Sequence, residues 1–191
     1  MDRGPARSML ADAAPLDVEA RPRATPRSHA QALQAWHMPE DIAAWAGAHF
    51  RFDAERALLF SATHRRIGPP PAIATPEAFF AEPVGICLDL ACFAVETLRR
   101  IEPEAQARYL MVEFEPVLVD GHQLRLHWMA SFRRDGQAFF FADSDRPGHV
   151  AGPYARSQDF IADYAAFRGR PVVRHLELDS LQRPSPGTAA R

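Results

Sequence analysis

The sequence contains no lysine: all 22 of its basic side chains are arginines, which leaves the α-amino group as the only primary amine in the chain. Cysteine is nearly absent too. Cys87 and Cys92 stand five positions apart on one predicted helix and point about 140° away from each other, so they cannot pair internally. A chain without a disulfide framework suits a reducing compartment, and a cytoplasmic protein is expected. No apolar run approaches the length of a signal-peptide core or a membrane span, and there are no internal repeats. The formal net charge of −2 argues against nucleic acid or a membrane surface as the main partner.

What is present suits one soluble domain: 191 residues, 47% of them hydrophobic. Residues 1–28 are rich in Ala, Arg and Pro without sustained periodicity, and are expected to form a flexible tail. Residues 29–180 form the expected domain, and residues 181–191 a second polar tail. A helical pattern runs from Gln31 to Phe50, with Pro39 suited to the first turn of a helix. A weaker one covers Ala54 to Ile67, and Gly68 to Pro76 must be loop. Thr75 then caps a short helix with Pro76 at its first position. After Ile101 the period changes from 3.6 to 2. Arg108–Phe114, Leu124–Arg133 and Gln137–Asp143 read as strands, Asp145–Pro153 as loop, Ser157 as the cap of a last helix, and Pro171–Leu178 as one more strand. Helices first and strands after imply an α+β domain, with helices against one side of an antiparallel sheet.

The stretch Pro83–Ile101 carries the chemistry. Pro83 and Gly85 end one segment, and a long, almost wholly apolar helix begins at Cys87. Asp89, Glu96 and Arg100 fall on one polar stripe, with Cys87 on the opposite side among Leu90, Ala91, Ala94, Leu98 and Ile101. Unpaired N–H groups and the helix dipole favour negative charge in a first turn, which is the setting of a thiolate nucleophile. Taken alone, such a Cys is more often inert packing. A His and an acid at suitable spacing change that balance. A three-residue turn, Arg134-Asp135-Gly136, would pair residues whose numbers sum to 270 and set His127 directly opposite Asp143. A two-residue turn, Asp135-Gly136, gives sums of 271 and puts them on opposite faces. Gly136 suits the left-handed third position of the longer turn, so the first register is the expectation. Thiol, imidazole and carboxylate then make a Cys-His-Asp acyl-transfer triad, with the Cys87 N–H as first oxyanion donor.

Gly85-Ile86-Cys87-Leu88-Asp89-Leu90-Ala91 resembles the G-x-C-x-D-x-A helix start of the transglutaminase-like superfamily of papain-like cysteine enzymes. The preceding Ala48–Asp53 and the helix beginning at Thr75 are similar to that family's approach to its Cys. His127 is followed by Asp143 sixteen residues later, the family's interval, so the match covers about Met38 to Asp143. The resemblance implies a papain-like core with Cys87 as nucleophile, His127 as base and acid, and Asp143 as orienter. It also implies acyl transfer through a thioester on a protein, peptide or other amide-containing substrate, with no cofactor and no metal; hydrolysis of a peptide or amide bond is preferred because water needs no second pocket. The chain departs from the pattern at Trp128, which directly follows the His, and in having no Gln a few residues upstream of Cys87, so the second oxyanion donor stays unassigned.

Three alternatives stand beside this reading. The same groups serve acyl transfer to an amine, in crosslinking or amide formation. The fold can be kept as a binding module without turnover. A zinc site from Cys87, Cys92, His122 and His127 is opposed by the different sides on which these residues fall. Asp89 reads as a helix-dipole partner, Cys92 as core, and Asp145 as a weaker substitute for Asp143. His37 and His49 read as boundary residues, while His64, His149 and His175 have no informative spacing. The loops Gly68–Ala74 and Arg146–Pro153 are expected to shape the cleft.

Overall fold

A computed structural model describes residues 25–69 and 72–181. Most of both expected tails lies outside these residues. Ser28, inside the first, caps a helix by accepting the Gln31 N–H at 3.3 Å, and Leu181, inside the second, packs on the core.

The pattern from Gln31 to Phe50 is two helices, α1 (His29–Ala35) and α2 (Pro39–His49). The break falls before Pro39, where a proline holds its predecessor, Met38, extended. Two short parallel strands, β1 (Arg51–Phe52) and β2 (Val84–Gly85), bracket α3 (Ala54–Leu59) and α4 (Pro76–Ala81). Thr75 caps α4 as its sequence implied, accepting the Ala78 N–H at 3.3 Å. The long helix α5 (Cys87–Ile101) follows, and then the strands β3 (Arg108–Val119), β4 (His122–Arg134), β5 (Gln137–Phe141) and β6 (Ala151–Tyr154), the helix α6 (Ser157–Arg168) and β7 (Val172–Leu178). The five long strands form an antiparallel sheet in the order β6-β5-β4-β3-β7, and the chain is an α+β domain.

Helices cover both faces of this sheet, not one. Tyr109, Ala130 and Phe141 form a cross-strand row that packs with Trp36, Trp45, Phe79, Phe80 and Phe93 from α1, α2, α4 and α5. On the other face Leu110, Val112, Met129 and Phe140 pack against Phe160, Ile161 and Tyr164 of α6. The Phe140 and Phe160 rings stack with centroids 3.9 Å apart. The cause lies in the strands: Tyr109-Leu110-Met111-Val112 is apolar at every position and buried throughout. A strand without alternation needs cover on both sides. The loop expected over Asp145–Pro153 contains β6, which pairs with β5 through Ala138↔Tyr154 and Phe140↔Ala151.

The β4–β5 register corrects the expectation. Arg134 pairs with Gln137 and Ala130 with Phe141, so the sums are 271 and the turn has two residues, Asp135 and Gly136. Both have positive φ, 52° and 75°, the type I′ geometry for which Asp-Gly is the favoured dipeptide. Asp120-Gly121 repeats the solution at the tip of β3–β4, with φ of 48° and 77°. That second hairpin is longer than the sequence suggested. Its ladder shifts by two residues between Glu113 and Val117, around Pro116, which has no N–H to give. An even shift preserves which side chains face which side.

Replacing Gly136 with Val should cost about 1–2 kcal/mol in urea denaturation, because a β-branched residue resists positive φ. The alkylation rate of Cys87 in the folded fraction should stay at the parent value. A fall in that rate would show that the turn controls the site.

Candidate active site

The α5 N-terminus is built around Asp89. Although it lies on the helix's polar stripe, its side chain is 1% exposed. Oδ2 accepts the Ile86 N–H at 3.0 Å, one half of a capping box. Oδ1 accepts the Ala74 N–H at 2.8 Å and an Arg56 N–H at 3.0 Å. Arg56 also donates to the Ala72 carbonyl, so one carboxylate ties α5, α3 and the chain before α4 together. Gly85 leaves the room for it: a Cβ there would come within 2.8 Å of Asp89 Oδ2. Asp89 is therefore a structural anchor two residues from Cys87, and more than a dipole partner.

Cys87, the first residue of α5, lines a cleft with His127 and Trp128 of β4. His127 is buried, with its side chain 8% exposed. Its Nε2 meets Asp143 Oδ1 at 3.1 Å, and its ring shares the cleft lining with the Cys87 thiol. The Tyr164 ring of α6 lies 6.0 Å from the imidazole centroid. Burial opposes a charge on His127, but the Asp143 hydrogen bond and the neighbouring Cys87 outweigh it and raise its pKa to about 9. Asp143 shows the converse. Burial would raise its pKa, while the His127 hydrogen bond and charge, the Asp145 N–H and Arg168 bring it down to about 2.

The three residues named from the sequence thus come together, but not through the expected register. With sums of 271, an unbroken strand would set Asp143 opposite Trp128, on the face away from His127. β5 ends at Phe141 instead, and Ala142 takes a left-handed conformation with φ of 60°. That single inverted residue swings Asp143 to the His127 side. A tight turn then holds it: Asp143 bridges to Arg146, and its Oδ1 accepts the Asp145 N–H at 3.0 Å. Alanine gives no sequence signal for positive φ, so this device was not legible.

The cleft encloses about 350 Å³. Neither loop expected to shape it contributes a described lining residue. Its walls come from Phe52 and the segment around Ala57–Arg66, the β3–β4 hairpin, Ser144 and Asp145, and the end of α6. The hairpin is clamped to the first wall, where Ser61 Oγ meets His122 Nδ1 at 3.0 Å and the Gln123 N–H donates to Thr63 Oγ1 at 3.0 Å. Asp145 sits at the rim in an ion pair of 2.9 Å with Arg168. Arg168 and Arg170 went unnoticed in the sequence, and Arg-Gly-Arg after an amphipathic helix was the available signal.

The four residues considered for zinc do not converge: His122 is held by Ser61, and Cys92 lies toward Tyr109 and Glu96. Among the described residues, no group of three or more His, Cys, Asp or Glu side chains is placed to hold a metal ion. None of their helices is long and apolar enough to cross a membrane. His29, unremarked in the sequence, is buried in the helical layer with Nε2 2.9 Å from Thr97 Oγ1, away from the cleft. No model of a known protein family matches the chain, and no curated protein matches it.

Two substitutions test these assignments. Asp89→Ala strands two backbone N–H groups and Arg56, and should lower stability by about 3–5 kcal/mol in chemical denaturation, with Asp89→Asn milder. Ala142→Val should slow Cys87 alkylation near neutral pH by more than its loss of folded protein explains, while Ala142→Gly, which accepts positive φ, should keep the parent rate. Equal rates in parent and Ala142→Val would separate Asp143's placement from that backbone angle.

Proposed function

We propose that this protein is a cysteine-dependent acyl-transfer enzyme on a papain-like, transglutaminase-like core, hydrolysing a peptide or amide bond through a thioester. The observation that carries the reading is the buried His127, paired with the Asp143 carboxylate at 3.1 Å and lining one cleft with the thiol at the first residue of α5. A buried imidazole has no packing reason to pair with a buried carboxylate beside a helix-terminal thiol.

In the mechanism this supports, His127 takes the Cys87 proton and Asp143 stabilises the imidazolium formed. The thiolate adds to the substrate carbonyl, whose oxygen lies within range of the Cys87 N–H at the helix start. His127 then protonates the departing nitrogen as the C–N bond breaks, leaving a thioester. Water gives a proton to His127 and attacks the thioester, releasing the acid and restoring the thiol. Water needs no pocket of its own, which is why hydrolysis is preferred to transfer onto an amine.

Cys87→Ala should abolish turnover of an amide substrate, whereas Cys92→Ala should chiefly alter stability, since burial raises the Cys92 thiol pKa. Equal loss of turnover from both, with the fold intact, would sink the assignment. The pH profile supplies a second check. His127 is raised from 6.5 to about 9, so its protonated form is fully held below 6.5 and lost as pH rises through about 9. The alkaline limb of alkylation or turnover that depends on the imidazolium should therefore fall near pH 9, and His127→Ala should remove it.

A further inference from the structure

The cleft beside Cys87 is cationic in a chain whose net charge is −2. Arg66, Arg125, Arg168 and Arg170 line it against one carboxylate, Asp145. Two of these arginines are neutralised, Arg168 by Asp145 at 2.9 Å and Arg125 by Glu113 at 3.2 Å. Arg66 and Arg170 have no carboxylate partner among the described residues. Arg170 is the more telling. It gives one N–H to the Glu115 carbonyl at 2.6 Å, yet its Nε is buried with no hydrogen-bond partner. Its guanidinium lies 4.8 Å from the centre of the Phe114 ring, and that of Arg168 lies 5.6 Å from the same ring. Burial and the neighbouring Arg168 charge both lower the pKa of Arg170. The fold thus holds two like charges on one ring at the cleft wall, and the acids beside Arg168, Asp145 at 2.9 Å and Asp143 at 3.8 Å, leave Arg170 without a carboxylate among the described residues.

We propose that the acyl substrate carries a carboxylate close to the scissile amide and that Arg170, with Arg66 exposed nearby in the same lining, receives it. This rests on the thiol acyl-transfer reading above. A planar guanidinium with free donors matches a carboxylate in a way a point charge does not. The chemistry balances without any further reactant than water. The S–C bond forms as the C–N bond breaks, the His127 proton leaves on the nitrogen, and hydrolysis of the thioester returns the proton to sulfur. The carboxylate belongs either to an acidic side chain on the acyl residue or to a chain terminus on the leaving side.

Iodoacetate and iodoacetamide test this on the whole chain, because both alkylate a thiolate with loss of iodide and they differ in one charge. At low salt, the iodoacetate-to-iodoacetamide rate ratio at Cys87 should exceed that of N-acetylcysteine amide by on the order of tenfold. It should shrink as salt is added. Arg170→Gln should reduce the ratio several-fold and Arg170→Lys should retain most of it. Arg156→Gln, which removes an exposed charge at the start of α6, should leave it at the parent value. Chloromethyl ketones of acetylated glutamate and glutamine then separate the two sources. Faster labelling by the glutamate reagent puts the carboxylate on the acyl residue. Equal labelling, with the iodoacetate preference intact, puts it on the leaving side. A ratio no larger than that of the small thiol, or one unmoved in folded Arg170→Gln, overturns the proposal. A Cys87 no more reactive than Cys92 toward iodoacetamide would overturn the acyl-transfer reading with it, whereas a reactive Cys87 without charge preference overturns the carboxylate alone.

Discussion

A single buried carboxylate positions most of what surrounds the thiol. Asp89 has three donors around it, the Ile86 and Ala74 N–H groups and Arg56. Removing a carboxylate from water is costly unless it is fully paired, so these contacts are mutually enforcing. Where Asp89 goes, the first turn of α5 goes, and with it Cys87. Arg56 carries the constraint into α3, whose Ala57 forms one wall of the cleft with Phe60, the residue that ends the helix. Gly85, pressed against Asp89, carries it into β2 and through the parallel pairing into β1, whose Phe52 lines the same cleft. Cys87 and cleft wall are thus placed by one charge, and they cannot drift apart without exposing it.

His127 is held on different terms. It belongs to the central strand of the sheet, opposite Val112, and its row faces α6 rather than the helical layer that contains α5. Cys87 therefore meets it from the end of a helix packed over the other face, at the edge of both layers. Asp143 reaches it only through the left-handed Ala142. Such a conformation costs an alanine about 1–2 kcal/mol, and the hydrogen bonds of a buried, charge-assisted pair exceed that. Strain that persists next to chemistry usually serves it, and here it changes which face of the sheet an acid occupies.

The sequence was informative wherever local chemistry decides geometry. Thr75 before Pro76, Pro39 at a helix start and the long helix from Cys87 to Ile101 emerged where caps and periodicity put them. It was silent where tertiary contacts decide. The pairing of His127 with Asp143 was reached from a register that the β4–β5 hairpin does not have, and two departures cancel: the turn is one residue shorter, and Ala142 inverts the strand. Asp-Gly already favoured the shorter turn, so the first departure was legible and the second was not. The uninterrupted apolar run in β3 foretold cover on both faces, whereas counting helices before strands did not. The cleft wall contributed by Arg168 and Arg170 lies some forty residues beyond His127, and only the fold of α6 back across the sheet brings it near.

The two cysteines show how little the residue type settles. They share one helix and one element of chemistry, and both are half-buried. Cys92 lies against the core beside Tyr109, whose hydroxyl donates to Glu96 at 2.6 Å, and burial with the nearby acids Glu96 and Asp89 disfavours its thiolate. Cys87 shares its cleft with an imidazole that burial alone would keep neutral, and whose pKa the Asp143 carboxylate and the neighbouring Cys87 raise to about 9. The difference lies wholly in what each thiol faces: carboxylates for one, a buried cation and an arginine-lined cleft for the other. An interior that opposes charge in general, but sets an imidazole paired with a carboxylate at one end of one helix, distinguishes the surroundings of the two thiols and supports the role proposed for Cys87.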